Sequence, residues 1–129
     1  GRNLVTELLS VCGPVEWFED EKTIDAVTAV SGSGPAYVFL LAEVMAQAGI
    51  KAGLDADLAM RLARETVSGA GELMRRSDDE ASTLRQNVTS PGGTTAAALA
   101  VLMAEDDGMQ QIFDRAIMAA KNRSEELAK

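Results

Sequence analysis

The chain contains 129 residues, 47% of them hydrophobic, which is enough for one domain with a buried core. Its net charge of −8, from 20 acidic and 12 basic residues, argues against a surface that binds nucleic acid or an anionic membrane. The sequence has no histidine and a single cysteine, Cys12, so an internal disulfide, a histidine base and a histidine-ligated metal are excluded.

The first 21 residues differ in character from the rest. Arg2 to Val11 predicts a short helix, Cys12 to Pro14 a turn, and the alternating stretch VEWFED at 15–20 a strand. A single strand lacks a neighbour to satisfy its backbone, so we interpret this segment as the tail of a sheet domain that lies upstream. The N-terminus has no signal-peptide pattern, and with one cysteine this favours a cytoplasmic protein.

From residue 22 onward the sequence predicts helices only. The longest apolar stretch, Pro35 to Ile50, has only Glu43 and Gln47 as strongly polar residues, so we expect a helix that is buried nearly all round. It is shorter than the ~20 residues of a membrane span, so we predict no membrane segment. The predicted helices, in chain order, are Lys22–Val30, Pro35–Ile50 after a break at SGSGP, Asp55 or Asp57 to Arg76, a short helix through Leu84, Thr94–Ala104 and Met109–Leu127.

Two of these helices raise a packing problem. Pro35–Ile50 and Thr94–Ala104 are both apolar on every side, and one domain of this size can cover only one such helix. We therefore expect a second copy of the chain to cover the other, as in an interlocked dimer. In the alternative, one helix is central and the other is merely rich in alanine. A stripe of small residues on the third helix, which predicts close helix packing, comprises Ala59, Ala63, Thr66 and Ala70.

The stretch TSPGGTTAAALA at 89–100 predicts a glycine turn that leads into an alanine-rich helix. Glycines let another group approach the backbone, and the first N–H groups of a helix have no partner within it, so the turn suits a carboxylate or phosphate. A side chain at Gly93 would intrude on such a group, and would also strain the turn if that residue has a positive φ. The alternative is that Ser90 or Thr94 simply caps the helix.

Four sequence blocks together resemble the pyrroline-5-carboxylate reductases. They are DAVTAVSGSGPAYVF at 25–39, AGIKAGL at 48–54, NVTSPGGTTAAAL at 87–99 and AIMAAKNRSEEL at 116–127. The resemblance implies an all-α, interlocked helical dimerisation domain over residues 22–129, preceded at 1–21 by the helix and strand tail of a Rossmann domain. The dinucleotide fingerprint G-x-G-x-x-G is absent, so we expect NADH or NADPH to be bound mainly by a domain outside this sequence and the chain alone to be inactive.

The resemblance also implies residue roles. Ser90 and the backbone N–H groups of Gly93, Thr94 and Thr95 would bind the carboxylate of a cyclic imine, which hydride reduces to proline. The Thr95 hydroxyl would lie near the ring nitrogen as the catalytic contact, and Asn87 would reach the cofactor across a homodimer or a higher oligomer built from dimers.

Two other interpretations stay open at this point. The chain is a helical dimerisation module with no ligand at the SPGGTT turn, or the helical domain of another Rossmann reductase. β-Hydroxyacid dehydrogenases of that second kind use a catalytic lysine on the helical domain. Lys51 and Lys121 lie in no matching motif here, which argues against that kind of enzyme.

Overall fold

The structure, a computed structural model, describes residues 20 to 128, and over this range the chain is helical with no strand. The predicted all-α fold is confirmed for these residues. The helix, turn and strand predicted before Asp20 lie outside the described residues. The elements are α1 (Glu21–Val27), a π-helical segment (Thr28–Gly32), α2 (Gly34–Lys51), α3 (Ala56–Arg76), α4 (Ala81–Asn87), α5 (Thr94–Leu102) and α6 (Met109–Leu127).

The helices begin and end where local chemistry stabilises their free backbone groups. Asp20 caps α1 by accepting the Lys22 N–H at 2.9 Å, and Asp55 caps α3 by accepting the Leu58 N–H at 3.3 Å. Asp55, and not Asp57, is therefore the start signal of α3. Gly53 has a φ of 115°, a conformation that glycine adopts without strain, and it follows the last turn of α2.

The SGSGP stretch does not break the helix in the way that the sequence predicted. A π-helical segment continues α1, with the Ser33 N–H bonded to the Thr28 carbonyl at 2.9 Å, and α2 begins immediately afterwards at Gly34. The apolar helical run is therefore longer than predicted and extends over Glu21–Lys51. By length and composition alone this run could cross a membrane, because it contains an 18-residue window with a mean hydropathy of 1.3, a criterion that apolar helices of soluble proteins also meet.

The described residues form two compact units. The first contains α1, the π segment, the first turn of α2 and, from Glu105 onward, α6. Here Ala29 is fully buried, and its carbonyl accepts the Tyr37 hydroxyl at 2.7 Å. The Tyr37 ring meets the Phe113 ring edge to face, with centroids 6.0 Å apart. These contacts tie the π segment to α2 and α6.

A polar contact joins α1 to α6 in the same unit. The Ser124 hydroxyl donates to the Asp25 carboxylate at 2.6 Å, between half-buried side chains. One helical turn earlier on α6, Lys121 pairs with Glu125 at 2.8 Å, and this hydrogen bond raises the pKa of Lys121 above its ordinary value. The predicted apolar face of α6 is partly confirmed, because Phe113, Ile117 and Ala120 are half-buried. Its other two members, Ile112 and Ala116, are exposed.

The second unit extends from Val38 to Ala104 and contains the rest of α2 together with α3, α4 and α5. Its buried residues are Ala46 on α2 and Ala59 and Ala63 on α3, and Ile50 packs against them. The predicted small-residue stripe is thus correct for Ala59 and Ala63. It is wrong for Thr66 and Ala70, which are exposed, because the α2 residues of this contact lie against the first half of α3 only.

Large apolar side chains remain at the surface of this unit. Phe39 on α2 is 68% exposed and Val101 on α5 is 72% exposed. The described chain buries alanines and leaves its bulky residues in contact with solvent, which is the reverse of a monomeric core. The other large apolar residues that α2 and α5 leave exposed are Val38, Leu40, Leu41, Val44, Met45 and Leu102.

The Asp25 to Ser124 bond gives a stability prediction. Ser124→Ala and Asp25→Ala should each lower the free energy of unfolding. The loss in the double variant should be smaller than the sum of the two single losses by about 1 kcal/mol or more, because both single variants remove the same half-buried hydrogen bond. Urea unfolding at neutral pH measures this, with Ser68→Ala on the exposed side of α3 as the control. Strictly additive losses would show that the two side chains do not interact.

Candidate functional site

The candidate site is the turn between α4 and α5, and α4 fixes its beginning. After Asn87, the Val88 N–H donates to the Arg85 carbonyl at 3.3 Å and the Thr89 N–H donates to the Gln86 carbonyl at 3.0 Å. The Thr89 hydroxyl also donates to the Arg85 carbonyl, at 2.6 Å. These bonds satisfy carbonyl groups that a helix end leaves without a partner.

Residues 90 to 95, which we call the glycine turn, comprise the end of the connection from α4 and the first two residues of α5. The Gly93 N–H donates to the Ser90 carbonyl at 3.0 Å and closes the turn. Gly92 has a φ of 73°, whereas Gly93 has a φ of −88° and an extended ψ of −175°. The glycine that needs the left-handed conformation is therefore Gly92, and not Gly93 as the sequence analysis considered. At Gly93 a Cβ would lie 3.2 Å from the Ser90 carbonyl oxygen, so the turn is closed tightly there.

No side chain caps the start of α5. Its N-cap residue is Gly93, and the first bond within the helix joins the Ala97 N–H to the Gly93 carbonyl at 3.2 Å. The alternative of a Ser90 or Thr94 side-chain cap is therefore not what the structure contains. Within residues 20–128, the N–H groups of Thr94, Thr95 and Ala96 have no hydrogen-bond partner.

The structure brings four of the five predicted site residues into this one turn. Ser90 and Thr94 are exposed, and Gly93 and Thr95 are half-buried. The Gly93 N–H already donates to Ser90, so of the three N–H groups predicted to bind the carboxylate only those of Thr94 and Thr95 are left for an anion. Asn87, the fifth, is the exposed last residue of α4, outside the turn.

The electrostatics of the turn come from the backbone. Residues 88 to 95 include no ionisable side chain, and three uncapped N–H groups lie at the positive end of the α5 dipole. An anion placed there would accept hydrogen bonds from the backbone without a lysine or arginine. The site therefore does not have to remove a charged side chain from water. Among the described residues, no cluster of carboxylate or thiol side chains could hold a metal ion.

Two residues that matter to this geometry were missed by the sequence reasoning. Thr89 bonds back to the carbonyl four residues earlier, a pattern that threonine commonly forms and that its position after α4 could have indicated. Gly92 supplies the positive φ, but two adjacent glycines do not reveal which of them does so.

The chain has clear relatives among known proteins. It is 48% identical over 122 residues to a pyrroline-5-carboxylate reductase of Pseudomonas aeruginosa, a match that covers 95% of this chain and 44% of the relative. The chain therefore spans about half the length of the curated relatives that it matches.

Solved structures agree with the sequence relatives. A pyrroline-5-carboxylate reductase from Coxiella burnetii superposes with a TM-score of 0.84 at 39% identity, over 99% of this chain and 47% of that one. A Plasmodium falciparum pyrroline carboxylate reductase with NADP bound gives a TM-score of 0.81 at 34% identity, over 99% of this chain and 48% of that one. The family model for pyrroline-5-carboxylate reductase dimerisation matches residues 21–127, which is nearly the whole chain, so this protein belongs to the pyrroline-5-carboxylate reductase dimerisation family.

Proposed function

We propose that this chain is the dimerisation and substrate-binding part of a pyrroline-5-carboxylate reductase. The reaction is the reduction of 1-pyrroline-5-carboxylate, a cyclic imine, to L-proline by NADH or NADPH. The observation that carries the proposal is the uncapped start of α5 behind a glycine turn, inside the range that the family model matches. The curated relatives carry the name of this reductase.

The substrate has one group that the turn can recognise, its carboxylate. In our proposal the N–H groups of Thr94 and Thr95 donate to that carboxylate, and Ser90 and Gly93 form the wall of the turn on which it rests. Since these donors belong to the backbone, the carboxylate is held in a fixed position relative to α5. Fixing the ring in this way places the imine carbon for reaction, and positioning is a large part of what a protein contributes when a cofactor carries the chemistry.

Thr95 has a second role in this proposal. Thr95 is half-buried in the first turn of α5. In this proposal its hydroxyl is close to the N–H groups that hold the carboxylate. In pyrroline-5-carboxylate the ring carbon that bears the carboxylate is bonded to the ring nitrogen, so a group beside the carboxylate is also near that nitrogen. The hydroxyl orients the nitrogen and stabilises the amine that forms, and a protonated imine needs no histidine base.

The cofactor supplies hydride. We propose that this chain contacts only a small part of the cofactor. The sequence contains no dinucleotide fingerprint, so the residues present do not form a dinucleotide-binding site by themselves. We propose that a dinucleotide-binding domain provides that site and that Asn87, exposed at the end of α4, contacts the cofactor from this side.

We also propose that the chain forms a homodimer, or a higher oligomer built from dimers, in the cytoplasm. The exposed apolar residues of α2 and α5 need cover, and a second copy provides it with a surface of matching chemistry. The apolar run Glu21–Lys51 is covered in this way by protein and not by lipid.

Thr95→Val tests the substrate site because it keeps the shape of the side chain and removes only the hydroxyl. L-proline titrated into the chain should shift the amide signals of Thr94 and Thr95, and the variant should bind it about threefold to tenfold more weakly, the equivalent of one net hydrogen bond. In an enzyme that joins this chain to a dinucleotide-binding domain, kcat/KM should fall roughly tenfold.

Thr66→Val, the same change on the exposed side of α3, is the matched control and should bind L-proline like the unmodified chain. If no amide of the glycine turn responded to L-proline, the turn would be only a helix connection. The chain would then be a dimerisation module without a ligand at this position.

The two glycines of the turn should respond differently to substitution. Gly92→Ala should lower the free energy of unfolding by about 1 kcal/mol, because alanine is strained at a φ of 73°. Gly93→Ala keeps an allowed φ but should weaken L-proline binding, because its Cβ displaces the Ser90 carbonyl 3.2 Å away. Gly71→Ala, in open space on α3, is the control and should not destabilise the chain. A Gly92→Ala variant as stable as Gly71→Ala would contradict the turn geometry.

Self-association is tested by sedimentation velocity at micromolar concentration. We expect a species of twice the 13.6 kDa chain mass. Phe39→Glu and Val101→Glu should each raise the monomer fraction, since both residues are highly exposed on the mainly apolar helices α2 and α5. Leu127→Glu, at the end of α6 and 69% exposed, is the control and should leave the dimer intact. A folded, monomeric unmodified chain would refute the proposal.

A further inference from the structure

Thr89, the residue before the glycine turn, is hydrogen-bonded to α4 through both its backbone and its side chain. Two hydrogen bonds tie Thr89 to the last turn of α4, from its N–H to the Gln86 carbonyl at 3.0 Å and from its hydroxyl to the Arg85 carbonyl at 2.6 Å. Its side chain is half-buried, whereas Ser90, Pro91 and Gly92, which follow it, are exposed. Thr89 is therefore the last residue anchored to α4 before the chain enters the turn.

The residues after Thr89 have little freedom of their own. Pro91 has a fixed φ, and it restricts Ser90 to extended conformations because its ring collides with the preceding residue in a helical one. Ser90 and Pro91 consequently have few accessible conformations, and Thr89 is the last residue before them that is hydrogen-bonded to α4. The Ser90 carbonyl accepts the Gly93 N–H and closes the turn.

We propose that Thr89 is a positioning residue of the glycine turn. Its hydroxyl fixes the direction in which the chain leaves α4, this direction places the Ser90 carbonyl against the Gly93 N–H, and the closed turn leaves the Thr94 and Thr95 N–H groups open to a carboxylate. The inference rests on the proposed function for the identity of the ligand, but the link between Thr89 and turn closure does not depend on it.

The opposite possibility is that the Thr89 hydroxyl only completes the end of α4. The Arg85 carbonyl has a second donor, the Val88 N–H, at the longer distance of 3.3 Å. If ending the helix were its only role, removing the hydroxyl would fray α4 slightly and leave the turn closed. The two roles therefore differ in what happens at Gly93, four residues away.

Thr89→Val removes the hydroxyl and keeps the branched shape, and Thr89→Ser restores the hydroxyl without the methyl group. In the free chain, hydrogen exchange followed by NMR should show the Gly93 amide proton exchanging several-fold faster in Thr89→Val. In Thr89→Ser its exchange should stay close to that of the unmodified chain. L-proline should bind Thr89→Val about threefold more weakly or worse, as expected when a net hydrogen bond that orders the site is lost. Thr66→Val on α3 is the matched control for the same chemical change.

Unchanged Gly93 exchange in Thr89→Val would overturn the inference, and so would equal weakening in the valine and serine variants, since the hydroxyl would then not be the cause. The outcomes also separate the two proposals. If Thr95→Val weakens L-proline binding and Thr89→Val does not, only the positioning role fails. If neither the unmodified chain nor any variant binds L-proline, the proposed function fails. The exchange rate of the Gly93 amide proton then still decides whether the Thr89 hydroxyl keeps the turn closed.

Discussion

The buried hydrophobic residues in the described part of this chain are all alanines, and this constraint shapes the rest of the molecule. Ala46, Ala59 and Ala63 let α2 and α3 approach closely, and Ala29 does the same for the π segment. Small side chains bury little apolar area, at roughly 25 cal/mol per Å², so these contacts alone stabilise the fold weakly. The larger apolar residues, such as Phe39 and Val101, are at the surface, where a partner can cover them. Apolar residues exposed in this way mark a surface that a partner can cover.

The candidate site also depends on the backbone more than on large or charged side chains. The glycine turn has no charged residue, and the groups available to an anion are backbone N–H groups at the start of α5. Backbone donors cannot change rotamer, so a ligand bound by them has one orientation relative to the helix. Their positions depend on the turn that precedes them, and therefore on the bonds that Thr89 and Gly93 make. In such a site, residues that never touch the ligand control where it binds.

A neutral anion site also fits the chemistry that we propose. A lysine or arginine would attract many anions, whereas uncapped N–H groups in a narrow turn select by shape as well as by charge. Hydride reduction of a protonated imine needs a held substrate and a cofactor more than it needs an acid or a base. The lack of histidine in this sequence is thus compatible with catalysis by positioning.

The sequence alone determined the helical elements from α1 to α6 and the family, because apolar periodicity, the aspartate cap at 55 or 57 and long motif blocks are local signals. It located the glycine turn as well, since tandem glycines before an alanine helix are unambiguous. Only the tertiary structure decided that a π segment carries the helix through SGSGP, that packing ends before Thr66, and that Gly92, not Gly93, takes the positive φ. These features depend on hydrogen bonds between particular backbone groups and on which helices meet, such as the Tyr37 hydroxyl on the Ala29 carbonyl and the Gly93 N–H on Ser90. No pattern of residue types specifies those pairings, because several of them are compatible with the same sequence until the helices pack.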